Sequence, residues 1–307
     1  MLDAMRAGFR DILPEDVEEQ RLVELLRRAA MHAPAVGAAP EVPLEPNATP
    51  VQRRVVTVLS PKGGVGKTSI STNLALGLAA QHPNDVVLVD LDLQFGDVAA
   101  TLDLTPVQTM EHALGSAAAE DTLLLKTMLT VHSAGLFVLP GAENPAANEN
   151  VTGAQITRLL DQLSSQFSYV VVDTPAGLDE PTLAALESTD DAVLVSTMDV
   201  SCVRGVRKEA DLLIELGLMP ASRMLVLNLA DKQSGLKVKD VEAVIGIPVE
   251  VVIPRSSDVQ LAANHGRPLM LRGKKGGPFV KAIGNLMARL QRQVSLTESK
   301  HRRLEVA

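Results

Sequence analysis

Apolar positions along this chain follow two alternating rhythms. Short unbroken apolar runs, each followed by turn formers, are separated by longer stretches in which apolar residues recur every three or four positions. The runs predict buried strands at Val55 to Leu59, Val86 to Asp90, Leu136 to Leu139, Tyr169 to Asp173, Ala192 to Thr197, Met224 to Asn228 and Val249 to Ile253. The stretches between them predict helices, notably Thr68 to Ala80, with Ile70, Leu74, Leu76 and Leu78 and no breaker except Gly77, then Gly153 to Phe167 and Val203 to Leu216. Strand then helix, repeated, calls for an α/β fold: a doubly wound, mostly parallel sheet flanked by helices. A last amphipathic stretch puts Phe279, Ile283, Leu286, Met287, Leu290 and Val294 on one helical face, which reads as core packing, with a polar tail over 296–307.

The first 50 residues keep neither rhythm for long. Residues 1–30 predict a helix, a short strand around Arg10 to Leu13 and a helix with Val17, Leu22, Leu25 and Leu26 on one side. Three such elements cannot enclose a core, so this segment is an amphipathic arm or a piece of something larger. Residues 31–50, MHAPAVGAAPEVPLEPNATP, carry five prolines among alanines and predict an extended linker. The main domain is expected over 51–295.

Composition narrows the function classes. At 46% hydrophobic and 21% charged the chain can bury a large core, but with 2% aromatics and no Trp it offers no base-stacking platform. A net charge of −8 argues against wholesale nucleic-acid binding, although the C-terminal part is basic. The single cysteine, Cys202, can build neither a disulfide framework nor a Cys-rich zinc site. No run approaches the roughly 18 to 20 apolar residues that cross a bilayer, and no signal peptide is visible, so a cytoplasmic location is expected.

The chemistry concentrates at residues 54–68, RVVTVLSPKGGVGKT. A buried strand, a glycine-rich turn and a helix follow one another directly. Gly63, Gly64 and Gly66 let the backbone curl so that successive N–H groups, from Lys62 through Val65 to Ser69, face an anion at a helix N-terminus. Lys67 would reach the β- and γ-phosphates and the Thr68 hydroxyl would ligate Mg²⁺, which predicts a site for a nucleoside triphosphate with magnesium. Pro61 stands where the usual motif has its first glycine, and a second lysine, Lys62, follows it. Two further strands end in carboxylates. VVLVDLDLQFGD delivers Asp90 and Asp92 to the carboxyl edge of the sheet, and YVVVDTPAG has the form of a Walker B segment, with Asp173 placed to hold Mg²⁺ through water.

KGGVGKT resembles the deviant Walker A motif of the MinD/ParA ATPases, and the likeness covers residues 54–270. The resemblance implies that Lys62 crosses a nucleotide-sandwich homodimer to the partner's phosphates, since the chain supplies no arginine finger in cis. It also implies that Asp92 polarises the attacking water, that Asp90 supports the metal's water shell, and that Thr174, Pro175 and Gly177 sense the γ-phosphate. Asn228 matches the family's adenine-reading asparagine, and Pro254 its purine-flanking proline. Within the family, DLDLQFGDVA with TLDL, and IPRSSDVQLAANHGRPLM, look most like the CpaE/TadZ branch, which acts in Flp/Tad pilus assembly and polar placement. Leu93 stands where ParA proteins typically have proline. AGFRDILPED is similar to the end of a response-regulator receiver domain, which points to the same branch. The expected partners are a second copy of the chain and pilus or secretion-machine proteins at the pole or the inner membrane. The alternatives are a ParA/MinD-type partitioning or division-site ATPase and a non-hydrolysing ATP-bound scaffold. DNA binding is not favoured, and peripheral membrane association finds few apolar anchors in SLTESKHRRLEVA.

Overall fold

The computed structural model describes residues 53–141 and 151–305; the segment expected over 1–30 and the linker over 31–50 lie outside the described residues. The eight strands are β1 (Arg54–Leu59), β2 (Val86–Asp90), β3 (Thr130–His132), β4 (Leu136–Leu139), β5 (Tyr169–Asp173), β6 (Asp191–Ser196), β7 (Ser222–Ala230) and β8 (Val249–Pro254). They form one sheet in the order β3-β4-β2-β5-β1-β6-β7-β8. All neighbours pair in parallel except β3 with β4. The seven predicted runs are all strands. The antiparallel edge β3 went unpredicted, because three residues with half of their surface polar or exposed leave no periodic signal.

The longer helices are α1 (Lys67–Ala79), α2 (Gly153–Gln166), α3 (Glu180–Glu187), α4 (Val200–Glu215), α5 (Val238–Ile245), α6 (Ser257–Asn264) and α7 (Gly277–Glu305), with short helical turns between 98 and 128. They cover both faces of the sheet. Val87, Val89, Val170 and Val172 join the α2 side chains Ile156, Leu159, Leu160 and Leu163 in one core. Their strand neighbours Val86, Leu88 and Val171 join Ile70, Leu74 and Leu78 of α1 and Phe279, Ile283, Leu286 and Leu290 of α7 in the other. Period-2 alternation thus feeds two cores, as a doubly covered sheet requires. Gly77 is no breaker: a Cβ there would sit 2.5 Å from Met287 Sδ, so its missing side chain lets α7 lie close on α1. The expected packing role of the last amphipathic stretch holds through Leu290.

The order of strands matters for the site. The chain leaves β1 through α1 for β2 on one side, and leaves β5 for β6 on the other, so β1 stands between them at the reversal point where ligands bind in such sheets. A buried ion pair pins the opposite edge. Arg54 Nε donates to Asp191 Oδ2 at 2.5 Å, with the two side chains 7% and 0% exposed. Ser222 donates to the other Asp191 oxygen, and Asp190 accepts the Val55 N–H at 2.8 Å.

Removing one partner of a buried pair strands the other charge. Arg54→Met should therefore lower the unfolding free energy by about 3–5 kcal/mol, and the double variant Arg54→Met, Asp191→Leu should recover most of the loss. Urea titrations of both proteins check this; a loss under about 1 kcal/mol in the single variant would show that the pair is not a structural anchor.

Candidate functional site

β1 ends at Leu59 and α1 begins at Lys67, so the loop between them hangs over the reversal point of the sheet. Gly66 is its pivot. It has φ +92°, and a side chain there would collide with the Asn228 amide. Gly63 and Gly64 face open space. The N-terminus of α1 has no side-chain cap and no acidic residue in its first turn, which leaves its N–H groups and positive dipole end for an anion.

Lys67 is 8% exposed and curls back over the loop, its Nζ donating to the Lys62 carbonyl oxygen at 3.3 Å. Burial lowers its pKa, while the charges of Asp173 and Asp92 act the other way. Thr68 donates its hydroxyl proton to Asp173 Oδ2 at 2.6 Å. Asp173 is 1% exposed, and its second oxygen has no hydrogen-bond partner among the described residues. Burial pushes this carboxyl up to about 6, against the pull of the Thr68 and Ser71 hydroxyls and of Lys67. A hydroxyl beside a carboxylate with a free buried oxygen is a hard oxygen donor set of the kind Mg²⁺ takes, so these residues fit the metal. Ser69, next along α1, is half-buried, and its carbonyl accepts the Asn73 side chain at 2.8 Å.

Asp90 lies in register with Asp173 on the neighbouring strand. Both of its oxygens are engaged by backbone, accepting the N–H groups of Asp92 at 3.1 Å and Val98 at 3.2 Å, so the carboxyl ties the loop 91–98 to the strand end. Burial, then the nearby Asp173, raise its pKa well above the usual carboxylate range. Asp92 is half-buried and accepts the Phe95 N–H at 3.1 Å. The turn after Asp173 is laced to β1 and the loop: the Thr174 hydroxyl donates to the Val58 carbonyl at 2.9 Å, and the Gly177 N–H to the Ser60 carbonyl at 3.1 Å.

Asn228 is 3% exposed, and its side-chain amide donates to the carbonyl of buried Val65 at 2.7 Å, holding the loop from below. The strand bulges just after it. Leu229 adopts φ +52°, and the register against β8 shifts between Leu227 and Ala230. Pro254 lies opposite Ala230 at the end of β8. The next residue, Arg255, lines a cleft of about 560 Å³ together with Lys62, Gly63, Gly64, Thr197 and Asp199.

Lys62 is turned within its own chain toward the start of α4. Its Nζ lies 3.5 Å from Asp199 Oδ1 and within hydrogen-bond reach of the Ser201 hydroxyl. Hydrogen bonds from Ser201 and Thr197 hold the Asp199 carboxyl well below the usual range. Neither Asp199 nor Ser201 was anticipated. For Asp199 the signal was present, since an Asp shortly after a buried strand and just before an amphipathic stretch is a helix N-cap, and Asp199 does cap α4 through the Cys202 N–H at 2.8 Å.

Comparison with known proteins adds relatives to this geometry. A family model described as ParA, NUBPL iron-transfer P-loop NTPase, matches residues 51–276. The septum site-determining protein MinD of Synechocystis is 29% identical over 251 residues, covering 78% of this chain and 90% of that one. The crystal structure of a ParA family ATPase from Chlorobium tepidum superposes with a TM-score of 0.71 at 27% identity, covering 77% of this chain and 99% of that one. MinD of Pyrococcus horikoshii, solved as a complex with Mg-ADP, shares the fold with a TM-score of 0.69 at 22% identity, over 80% of this chain and 98% of that one.

The loop geometry generates one prediction directly. A side chain at Gly66 meets both a left-handed backbone and the Asn228 amide, a strain of about 1–3 kcal/mol that the loop can relieve only by losing its shape. Gly66→Ala should weaken nucleotide binding about tenfold or more with helix content unchanged, measured by titration of a fluorescent ADP analogue alongside circular dichroism. Unaltered affinity would mean that the cradle tolerates another shape.

Proposed function

We propose, from the premise that this chain belongs to the ParA family of P-loop NTPases, that it is an ATP-hydrolysing switch of the MinD/ParA type. Its ATP-bound form is a face-to-face dimer, and hydrolysis releases it. The observation that carries the reading is the Thr68–Asp173 pair at 2.6 Å, with the free Asp173 oxygen behind it, under an uncapped helix N-terminus. Iron transfer, which the family description also mentions, has no thiolate pair to rest on in a chain whose only cysteine is buried.

Phosphoryl transfer to water asks for positioning and charge neutralisation more than for covalent chemistry. The loop N–H groups from Lys62 to Ser69 bind the phosphates and Lys67 neutralises them. Thr68 and Asp173 would hold Mg²⁺, and Asp90 fixes the loop that carries Asp92. Bound Mg²⁺ supplies charge neutralisation at the phosphate oxygens. Asp92 orients the attacking water and Pro254 flanks the base, while Asn228 holds the loop from beneath through the Val65 carbonyl. Lys62 exchanges its contacts with Asp199 and Ser201 for the terminal phosphate of the partner's nucleotide. That exchange makes turnover dimer-dependent and slow.

The septum-site and ParA relatives favour cellular positioning as the process served. A second reading, pilus assembly and placement of the CpaE/TadZ kind, is favoured by the DLDLQFGDVA segment, with Leu93 after the aspartate pair. Loss of surface pili with normal septum placement in a deletion strain would select it. ATP-dependent, salt-sensitive retardation of nonspecific duplex would instead select DNA partitioning. No helix among the described residues is long and apolar enough to cross a membrane.

Lys67→Ala should abolish nucleotide binding. Lys62→Ala should bind normally but turn over about a hundredfold more slowly, and Asp92→Ala should bind but release no phosphate. Equal loss of affinity in both lysine variants would contradict the trans role. Sedimentation velocity should show a dimer with a nonhydrolysable ATP analogue; an unchanged monomer at saturation would remove the switch.

A further inference from the structure

Helix α4 carries one residue that its packing does not explain. Its buried positions are Cys202, Val203, Val206, Glu209, Ala210 and Leu213, so an acid stands on an otherwise apolar stripe. Glu209 is 5% exposed, and neither carboxyl oxygen has a hydrogen-bond partner among the described residues. One turn earlier on the same helix, Gly205 lies against Pro61: a Cβ there would come within 2.9 Å of the ring. The part of α4 that holds Glu209 is therefore seated on the residue that opens the phosphate loop. The charge that acts on the carboxyl is the Lys67 ammonium. Lys67 in turn feels Asp173 and Asp92 from the strand ends and Cys202 from α4. Lys208 and Asp211, beside Glu209 in sequence, point to solvent and are exposed.

A carboxylate with no donor in apolar surroundings is unfavourable, so the neutral acid is the form that the fold accommodates. Burial pushes this group up to about 8, and Lys67 is the one influence that opposes it. Phosphate oxygens bound to Lys67 cancel that influence. We propose that Glu209 takes up one proton from solvent, onto a carboxyl oxygen, when phosphate occupies the loop, so that nucleotide binding and Glu209 protonation are linked. This inference rests on the loop being a phosphate site. The sign follows from linkage. Well below pH 8 Glu209 already carries its proton in both states and no uptake occurs. As pH rises through the nucleotide-free value the free protein loses the proton and the bound one keeps it, so affinity falls.

The test is isothermal titration calorimetry of the full chain with Mg-ADP at pH 7 and pH 9, each in two buffers of different ionisation enthalpy. Uptake approaching one proton is expected at pH 9 and almost none at pH 7, with the Kd rising by up to about tenfold per pH unit above 8. Glu209→Gln should bind Mg-ADP with no uptake and a flat Kd over the same range. Equal uptake in wild type and variant would place the proton on Lys67 and overturn the proposal. Absence of uptake by wild type at pH 9, with binding heat present, overturns it whether or not the variant folds. Absence of any binding heat overturns the phosphate-site reading and this inference with it.

Discussion

The hydrogen bond from Thr68 to Asp173 joins the first turn of a helix to the end of a strand 105 residues away in sequence. Everything that positions it is sheet geometry. β5 lies directly beside β1 in register, Val58 opposite Asp173, so the helix that leaves β1 begins above the carboxylate. Slipping that register by one residue would turn Asp173 to the other face and break the contact. On its other side β1 is fixed from the far edge, where the Arg54–Asp191 pair and the Asp190 cap on Val55 tie it to β6. It is also held from both faces, because alternate residues of the same strands are committed to different cores.

The carboxyl edge of the sheet gathers Asp90, Asp92 and Asp173, and of these Asp173 and Asp92 act on one buried ammonium, Lys67. Such a set is short of positive charge. The fold manages the shortage differently for each acid. Asp90 is satisfied by two backbone amides, Asp92 is left half-exposed, and Asp173 accepts the Thr68 hydroxyl on one oxygen while the other has no hydrogen-bond partner among the described residues. Only the last has unused acceptor capacity in a buried place. A divalent cation brought in with a nucleotide supplies what the protein withholds, which is the physical reason for reading the site as metal-dependent.

Much of this was legible in the chain. Val55 to Leu59 followed by KGGVGKT could hardly be anything but strand, anion-binding turn and helix, and the two strands ending in aspartate could only deliver them to the same edge. What escaped were features set by tertiary contact. β3 is a three-residue antiparallel partner on the edge that β4 offers, too short to show a period in the sequence. Asn228 reads in sequence as a turn former or a base reader, yet its amide supports Val65 from beneath the loop, a contact 163 residues long in sequence. Asp199 announced its capping role but not its reach to Lys62. Glu209 was visible as a polar residue on an apolar helical stripe, a pattern that usually marks a misassigned face; here the face is right and the carboxyl is buried without a donor.

Two cation–carboxylate pairs in this fold do opposite work because of where they sit. Arg54 and Asp191 are sealed from solvent, and neither can leave without stranding the other in a low dielectric, so that pair is permanent. Lys62 and Asp199 are 42% and 51% exposed. An exposed pair of this kind is worth about 0–1 kcal/mol, and water readily replaces either partner. Asp199 also keeps the Ser201 and Thr197 hydroxyls when the lysine departs. Lys62 is therefore held loosely, as the proposed role in trans requires, since the denser charge of a triphosphate would compete easily with one solvated carboxylate. On that proposal a tighter tether would cost a switch its response, and none at all would leave a long side chain to be ordered from scratch on assembly. The weakness of the contact is what would suit it to the exchange proposed for this residue.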